Sequence, residues 1–215
     1  MPLKVNEIFS SIQGESSFAG RPCVFVRLTG CNLRCAYCDT TFAYVEGEQM
    51  ELSGIMARIR HYGVSLVEIT GGEPLLQEET PLLIKGLLDE GYQVLLETNG
   101  SRDISRVDAR CVKIVDIKGP SSGEMQQNDL KNLERLTPAD ELKFVIGDRN
   151  DYEFARGILN GLGLGRAVGR HIHFSPACGI LEPRTLAAWI LADNLPVRLQ
   201  LQLHKVIWPA GMRGV

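Results

Sequence analysis

The sequence predicts an α/β fold, a partial and splayed barrel of about six βα units, and three observations lead to this prediction. Short apolar runs alternate with amphipathic runs, and this order is typical of a parallel sheet with right-handed crossovers. Glycine-rich or polar residues follow directly after most of the apolar runs. Six units are fewer than a closed eightfold barrel needs, so the sheet should stay open on one side.

Each strand is predicted from a short apolar run that ends in a turn signal. The predicted strands are residues 23–28, 66–70, 93–97, 112–116, 142–146, 171–174 and 197–203. The predicted helices are residues 52–61, 78–90, 151–160 and 183–192, with Asp151 and Glu182 as acidic starts. Because no linker or composition change divides the chain, residues 1–215 should form a single domain.

Charge and composition narrow the possible functions. The 215 residues carry 23 basic and 26 acidic side chains, a net charge of −3, which gives no basic footprint for nucleic acid. No apolar run is long enough to cross a bilayer, and the N-terminus has no signal-peptide pattern. A cytoplasmic protein with reduced thiols is therefore expected. Cys23, Cys111 and Cys178 lie in or beside apolar runs and are predicted to be buried hydrophobic residues.

Three other cysteines, Cys31, Cys35 and Cys38, follow the first predicted strand with the spacing C-x3-C-x2-C. Structural zinc usually takes four protein ligands, and a simple electron-carrier cluster takes four cysteines. Three thiolates from one loop would leave one iron of a cubane cluster open to another ligand. Two alternatives remain at this point: a zinc knuckle that borrows a histidine, and a disulfide pair with a spare thiol.

Polar residues also follow the later predicted strands, at the edge where barrel and open α/β enzymes place their sites. These segments are Gly71-Gly72-Glu73-Pro74, Thr98-Asn99-Gly100, residues 118–122, Gly147-Asp148 and Ser175-Pro176-Ala177. The paired glycines would let the backbone approach a ligand closely, although the same four residues could form an ordinary turn. Asp116 and Lys118 could likewise be no more than a surface ion pair.

The cysteine spacing, with Tyr37 before the last cysteine, and the Gly71-Gly72-Glu73-Pro74 segment resemble the radical S-adenosylmethionine (SAM) superfamily. This resemblance implies a (βα)6-type radical SAM barrel and a [4Fe–4S] cluster whose open iron binds the amino and carboxylate groups of SAM. Reductive cleavage of SAM would yield a 5′-deoxyadenosyl radical that abstracts hydrogen from a substrate. The implied SAM contacts are Tyr37, Cys38, Asp39, Gly72, Glu73, Asp116, Ile117, Lys118, Phe174, Ser175, Pro176 and Ala177.

Segments 7–16, 20–27 and 96–100, together with His204-Lys205, narrow the resemblance to the 7-carboxy-7-deazaguanine synthases. That family is expected to convert 6-carboxy-5,6,7,8-tetrahydropterin to 7-carboxy-7-deazaguanine with loss of ammonia, in queuosine biosynthesis. The resemblance implies a homodimeric lyase that regenerates SAM, uses Mg²⁺ and takes electrons from a donor such as flavodoxin or ferredoxin. This chain has the compact cysteine spacing, whereas some members carry an insertion between the first two cysteines.

The resemblance also implies roles for single residues. Ile12, Gln13 and Gly14 would line the pterin pocket, with Glu15 as a nearby catalytic carboxylate. Arg27 would pair bidentately with the substrate carboxylate, which the planar guanidinium suits better than an ammonium. Thr70 would contact the substrate and the Thr40 hydroxyl would bind Mg²⁺. Without a cluster nearby, Gln13 to Glu15 could be a hairpin turn, Arg27 a surface charge and Thr40 a helix cap.

Two other functions compete with this interpretation. A radical SAM activating enzyme for a glycyl-radical partner protein would share both motifs, but it has no need of Arg27 and the 13–15 segment as a small anionic pocket. A non-catalytic metal-binding module would use the three thiols structurally. A dimer is also predicted from residues 197–203, whose alternation is typical of a half-buried edge strand, and from apolar residues 207–209. The alternative is that the C-terminal segment covers this edge itself, and whether Val215 reaches the site stays open.

Overall fold

The structure is a computed structural model that describes residues 2–162, 171–209 and 211–215. The strands are β1 (Pro2–Ile12), β2 (Pro22–Leu28), β3 (Glu48–Glu51), β4 (Leu66–Gly71), β5 (Gln93–Thr98), β6 (Val112–Asp116), β7 (Glu141–Ile146), β8 (Ile172–Pro176) and β9 (Arg198–Leu199). The helices are α1 (Leu52–Tyr62), α2 (Thr80–Asp89), α3 (Asn132–Arg135), α4 (Arg149–Gly161), α5 (Pro183–Ala192) and α6 (Leu203–Ile207).

The nine strands found in these residues form one open sheet in the order β3-β1-β2-β4-β5-β6-β7-β8-β9. Pairing is parallel from β2 through β9, whereas β1 and β3 add an antiparallel margin beside β2. The strands β2, β4, β5, β6, β7 and β8 correspond to the first six of the seven predicted strands. The predicted partial, splayed α/β barrel is confirmed. None of the helices in the described part of the chain is long and apolar enough to cross a membrane.

The two faces of the sheet have different surroundings. One face packs against the helices in a large apolar core, in which Ile55, Leu83 and Leu186 have no exposed surface. The opposite face carries a small apolar cluster that includes Phe9 and Phe25, whose rings stack 5.1 Å apart. Side chains alternate across a strand, so Arg27 lies on the same face of β2 as Phe25. The small cluster thus forms the floor beneath the polar residues of the site.

Three local predictions differ from the structure. The strands β1 and β3 were not predicted because β1 mixes polar with apolar residues and β3 is mostly exposed. The strand over residues 197–203 is wrong beyond Leu199, because the Ser175 hydroxyl binds the Gln200 carbonyl and helix α6 begins at Leu203. The cap of α4 is Asp148, which accepts from the Asp151 amide at 2.9 Å, while Asp151 itself is buried.

The unassigned cysteines divide into two groups. Cys23 and Cys111 are buried, as predicted. Cys178 is exposed, which contradicts the prediction, because it lies just beyond β8 in the turn that precedes α5.

Candidate active site

A cavity of about 240 Å³ lies at the carboxyl ends of the parallel strands and brings together most of the residues singled out in the sequence. The predicted site residues that line it are Ile12, Gln13, Gly14, Glu15, Arg27, Cys31, Cys35, Tyr37, Cys38, Asp39, Thr40, Thr70, Gly72, Asp116 and Lys118. They come from β1, β2, β4 and β6 and from the loops that follow these four strands. One cavity therefore collects both sequence motifs and the N-terminal segment.

The loop after β2 presents the three cysteines to the cavity. Each cysteine is partly buried, and the Cys31 sulfur accepts hydrogen bonds from the Leu33 amide at 3.4 Å and from Asn99 Nδ2 at 3.8 Å. Burial raises the pKa of the Cys31 and Cys35 thiols, so a bound metal cluster rather than the protein alone would have to hold them as thiolates. Three sulfurs that face one cavity from one loop fit a cluster with an open iron.

The glycine pair after β4 fits tightly against the cysteine loop. A Cβ on Gly72 would lie 2.2 Å from the Gly30 carbonyl oxygen and 2.8 Å from the Cys31 Cβ. The neighbouring Glu73 amide donates to the same Gly30 oxygen at 2.7 Å. Gly72 is thus required by the close approach of the cysteine-loop backbone, whereas the sequence analysis expects the close approach of a ligand.

Glu73 lies behind the cavity wall and supports it. Its carboxylate has no exposed surface and does not line the cavity. It accepts hydrogen bonds from the Asn99 amide at 2.7 Å, the Thr98 hydroxyl at 2.8 Å and the Leu75 amide at 2.9 Å. Glu73 therefore holds the ends of β4 and β5 together and positions Asn99 beside Cys31, but it does not face a ligand.

Two buried polar atoms in the cavity wall have no hydrogen-bond partner within the described ranges: the Tyr37 hydroxyl and Asp116 Oδ1. Asp116 Oδ2 lies 2.6 Å from Lys118 Nζ, and the pair is largely buried rather than a surface ion pair. Buried polar atoms are normally satisfied, so this wall suits a ligand with several polar groups. The polar groups of SAM would meet that need.

Besides Glu73, five of the predicted SAM contacts lie outside the cavity wall. Ile117 is buried in the helix-side core, and Phe174 packs edge-on against Phe144 there. The Ser175 hydroxyl donates to the Gln200 carbonyl at 2.9 Å. Pro176 and Ala177 are also buried, and the Ala177 amide donates to the Ile146 carbonyl. The side chains of these five residues are engaged in the core or in contacts within the protein, and their contact with SAM stays a prediction.

The loop between β1 and β2, residues 13–21, reaches across the open side of the sheet. Glu15 Oε2 lies 2.5 Å from Lys143 Nζ of β7, and Glu15 Oε1 accepts from Gln202 Nε2 at 2.8 Å. The Gly14 carbonyl accepts from the Leu203 amide at 3.0 Å, which joins the loop to the start of α6. Glu15 is therefore not a solvated turn residue. The pKa of Glu15 is lowered to about 2 because the Lys143 ammonium outweighs the effect of burial.

Several cavity residues were not predicted, and the most informative are Glu68, Glu97 and Lys143. Lys143 Nζ also lies 2.7 Å from the Glu97 carboxylate. The Glu68 carboxylate accepts a hydrogen bond from the side-chain nitrogen of Gln13. Burial, with the Glu97 and Glu15 carboxylates nearby, raises the pKa of Glu68. The sequence signal that could have identified these three residues is a charged side chain inside a short apolar strand. The other unpredicted lining residues with polar side chains include Asn99, Gln202, His204 and Lys205.

Gln13 supports the pocket through contacts within the protein. Its side-chain nitrogen donates to Glu68, and its side-chain oxygen accepts from the Glu15 amide at 2.9 Å. Its backbone groups pair with Arg21 and Gly20. These bonds use one of the two side-chain N–H groups and one lone pair of the side-chain oxygen, so Gln13 keeps hydrogen-bonding capacity for a ligand.

Arg27 and Thr40 lie on the cavity wall near the cysteine loop. Arg27 Nε donates to Glu7 Oε1 at 2.8 Å, and its side chain is only 16% exposed, so it is not a surface charge. No described residue accepts a hydrogen bond from its two terminal nitrogens. The Thr40 hydroxyl makes no helix-cap bond and lies 3.8 Å from the Cys38 sulfur. Asp39 pairs with Lys205 at 2.6 Å, and Val215 also reaches the lining.

The comparisons with known proteins agree with this geometry. The Radical SAM superfamily model matches residues 25–113. The 7-carboxy-7-deazaguanine synthase of Chlorobaculum tepidum is 50% identical over 222 residues, which cover 100% of this chain and 98% of that protein. That of Koribacter versatilis is 47% identical and covers 99% and 100%. The crystal structure of QueE from Escherichia coli superposes with a TM-score of 0.77 at 26% identity, covering 94% of each chain.

Radical SAM enzymes carry a [4Fe–4S] cluster and SAM, and the three cysteines and the unsatisfied polar wall fit these two groups. The full-length similarity to named synthases disfavours both the activating enzyme and the structural metal module. The chain belongs to the 7-carboxy-7-deazaguanine synthase family of radical SAM enzymes.

Proposed function

We propose that this protein converts 6-carboxy-5,6,7,8-tetrahydropterin to 7-carboxy-7-deazaguanine with loss of ammonia, in queuosine biosynthesis. The observation that supports it most strongly is the meeting of three elements in one cavity: the cysteine loop, Arg27 and the 13–21 loop. The named relatives supply the reaction class, and the cavity supplies the Arg27 guanidinium near the cysteine loop.

Within this proposal Cys31, Cys35 and Cys38 hold the cluster, and Gly72, Tyr37, Asp116 and Lys118 face SAM. The bound groups supply the radical that abstracts hydrogen. The protein's own part is to bind and orient the pterin while the 13–21 loop shields it. Ile12, Gly14 and Thr70 line the pocket, and Glu15 is held as a carboxylate by Lys143.

The direct test incubates the anaerobically reconstituted protein with SAM, a reductant and the carboxytetrahydropterin, and follows the product by mass spectrometry. We expect formation of 7-carboxy-7-deazaguanine without net consumption of SAM. An activating enzyme would instead cleave SAM stoichiometrically and leave the pterin unchanged. Cleavage of SAM with an unchanged pterin would thus contradict the proposed reaction.

Arg27→Lys is expected to weaken pterin binding and to leave SAM binding within about twofold. A charge-assisted hydrogen bond contributes about 1.5–3 kcal/mol, so losing the bidentate fork should cost roughly 10- to 150-fold in substrate affinity. Isothermal titration of each ligand measures this. The matched control is Arg60→Lys, because Arg60 pairs bidentately with Glu90 on the surface and does not line the cavity. Equal losses for both ligands would place Arg27 in the SAM site instead.

The proposal includes Mg²⁺ bound through the Thr40 hydroxyl. Within the described residues, no three His, Cys, Asp or Glu side chains are grouped so that they could hold a single metal ion, and this includes the three loop cysteines, which would share the irons of a cluster instead. A magnesium ion at Thr40 would therefore take its other ligands from water and from oxygens of the substrate, which this ion readily accepts.

We also propose a homodimer. Four apolar side chains in the segment from the edge strand β9 to the end of α6 are 40 to 75% exposed. They are Leu199, Leu201, Val206 and Ile207. Such an edge is usually paired or covered. Light scattering in line with size exclusion at micromolar concentration should give about twice the 23.8 kDa chain mass. A mass near one chain would contradict the dimer.

A cytoplasmic location and an electron donor such as flavodoxin or ferredoxin complete the proposal. Both fit a cluster that must be reduced by one electron and thiols that must stay unoxidised. Reduction of the reconstituted cluster by a purified donor of either kind, followed by electron paramagnetic resonance, would test the second point.

A further inference from the structure

The 13–21 loop is fastened to the sheet at a second place, away from the cavity. The Ser17 amide donates to Glu141 Oε2 at 3.0 Å, and the Ser17 hydroxyl donates to Glu141 Oε1. Glu141 Oε2 in turn lies 2.7 Å from His173 Nε2 on the neighbouring strand β8. These three residues, Ser17, Glu141 and His173, are called the latch below. None of them lines the cavity.

The latch joins elements that the pairing of the sheet leaves far apart. The loop begins at the end of β1, whereas Glu141 and His173 lie on β7 and β8, four and five strands beyond β2 in the sheet order. Glu141 precedes Lys143 by two residues, so both side chains lie on the same face of β7. Lys143 holds Glu15 from the cavity side, and Glu141 holds Ser17 two residues further along the loop.

The burial and charge of the latch residues make them a fixed attachment point for the loop. The Glu141 and His173 side chains are each only 1% exposed. Burial alone would raise the pKa of Glu141, but the neighbouring His173 ring and the Ser17 amide and hydroxyl lower it, so the carboxylate is the form that the site stabilises. Ser17 lies on an exposed part of the loop, so the buried carboxylate reaches the loop through its backbone amide and hydroxyl.

We infer that the latch sets the affinity of the pocket for its substrate by holding the 13–21 loop across the open side of the sheet. Ser17, Glu141 and His173 are positioning residues, since they act through Gly14 and Glu15 and touch no ligand themselves. Without the latch, Glu15 would keep its ion pair with Lys143, and Gly14 would keep its hydrogen bond from Leu203. The loop would lose the anchor that fixes the direction of these two contacts. This inference rests on the proposed function, because it takes the pterin as the ligand beneath the loop.

The test compares Glu141→Gln with the wild type in the reconstituted enzyme. Glutamine keeps the size of the side chain and one acceptor oxygen. It removes the negative charge that Ser17 and His173 both contact. We expect the KM for the pterin to rise about tenfold, kcat to stay within about threefold and the affinity for SAM to stay within about twofold. Hydrogen exchange of the loop amides should speed up in the protein without substrate. Ser17→Ala, at an exposed position, should raise the KM about threefold.

The matched control is Asp140→Asn, the same kind of change at the adjacent residue. Asp140 is fully buried and pairs with Lys113 at 3.0 Å, but it has no contact with the loop. It should lower the melting temperature without raising the KM. His173→Gln, which keeps a donor toward Glu141, should stay near the wild type, whereas His173→Leu should resemble Glu141→Gln.

Unchanged KM and unchanged loop exchange in Glu141→Gln would overturn the latch, as would an equal rise of the KM in Asp140→Asn. The exchange measurement needs no turnover, so it separates this inference from the proposed reaction. If the wild type bound no pterin while Glu141→Gln loosened the loop, the proposed substrate would be wrong and the anchoring role would stand.

Discussion

Cys35→Ala is expected to remove the iron–sulfur cluster completely and with it all cleavage of SAM. Only Cys31, Cys35 and Cys38 offer thiols from the loop that faces the cavity, and two thiolates cannot replace three on a cubane cluster. Iron and acid-labile sulfide after anaerobic reconstitution measure the loss, and the charge-transfer absorbance of the cluster should disappear in parallel. Alanine at Cys31 or Cys38 should give the same result.

The controls for this prediction are Cys23→Ala and Cys178→Ala. Cys23 is buried in the small apolar cluster, and its thiol is held neutral because burial raises its pKa. Cys178 is the stricter control, because it is exposed and lines the same cavity as the three loop cysteines. Both variants should keep a full complement of iron. If Cys178→Ala lost the cluster while Cys35→Ala kept it, the ligand assignment would be wrong.

The site residues that the sequence predicts belong to motifs whose chemistry depends only on neighbouring positions in the chain. Three thiols at fixed spacing and a Gly-Gly pair are recognisable without the fold, because each needs only its neighbours along the chain. Glu68 and Lys143 are different, since their place in the cavity depends on strand register. The parallel pairing of Arg27 with Thr70 puts Glu68, two residues before Thr70, on the cavity face. That register becomes known only when the sheet is assembled.

The differences between prediction and structure have the same origin. Phe174 to Ala177 were expected at the site because they end a strand; Phe174 lies on the core face and the Ser175 hydroxyl donates to the Gln200 carbonyl, and their contact with SAM stays a prediction. Alternation over residues 197–203 suggested a strand, but the Leu203 amide binds the Gly14 carbonyl of the 13–21 loop instead. Tertiary contacts between distant segments therefore override the local pattern. The six parallel strands β2, β4, β5, β6, β7 and β8 were predictable because each is a short, largely apolar run that is mostly buried and is followed by a turn signal.

Gly72→Ala is expected to cause the largest loss of SAM affinity among single-methyl changes in this chain. The added Cβ would lie 2.2 Å from the Gly30 carbonyl oxygen, which is a backbone atom and cannot rotate away. That oxygen already accepts from the Glu73 amide, and Cys31 follows it directly in the chain. The cysteine loop must therefore move away from the end of β4, with an overpacking cost of about 3 kcal/mol.

A displacement of this kind should lower SAM affinity about 100-fold, with partial loss of iron, when each is measured on the reconstituted protein. Gly54→Ala is the matched control, because a Cβ at Gly54 in α1 meets nothing within 4 Å. Alanine there should stabilise the helix by up to about 1 kcal/mol and leave SAM binding unchanged. Wild-type SAM affinity in Gly72→Ala would show that the cysteine loop can yield at Gly30. The close approach of the two motifs would then have no part in holding the cofactor.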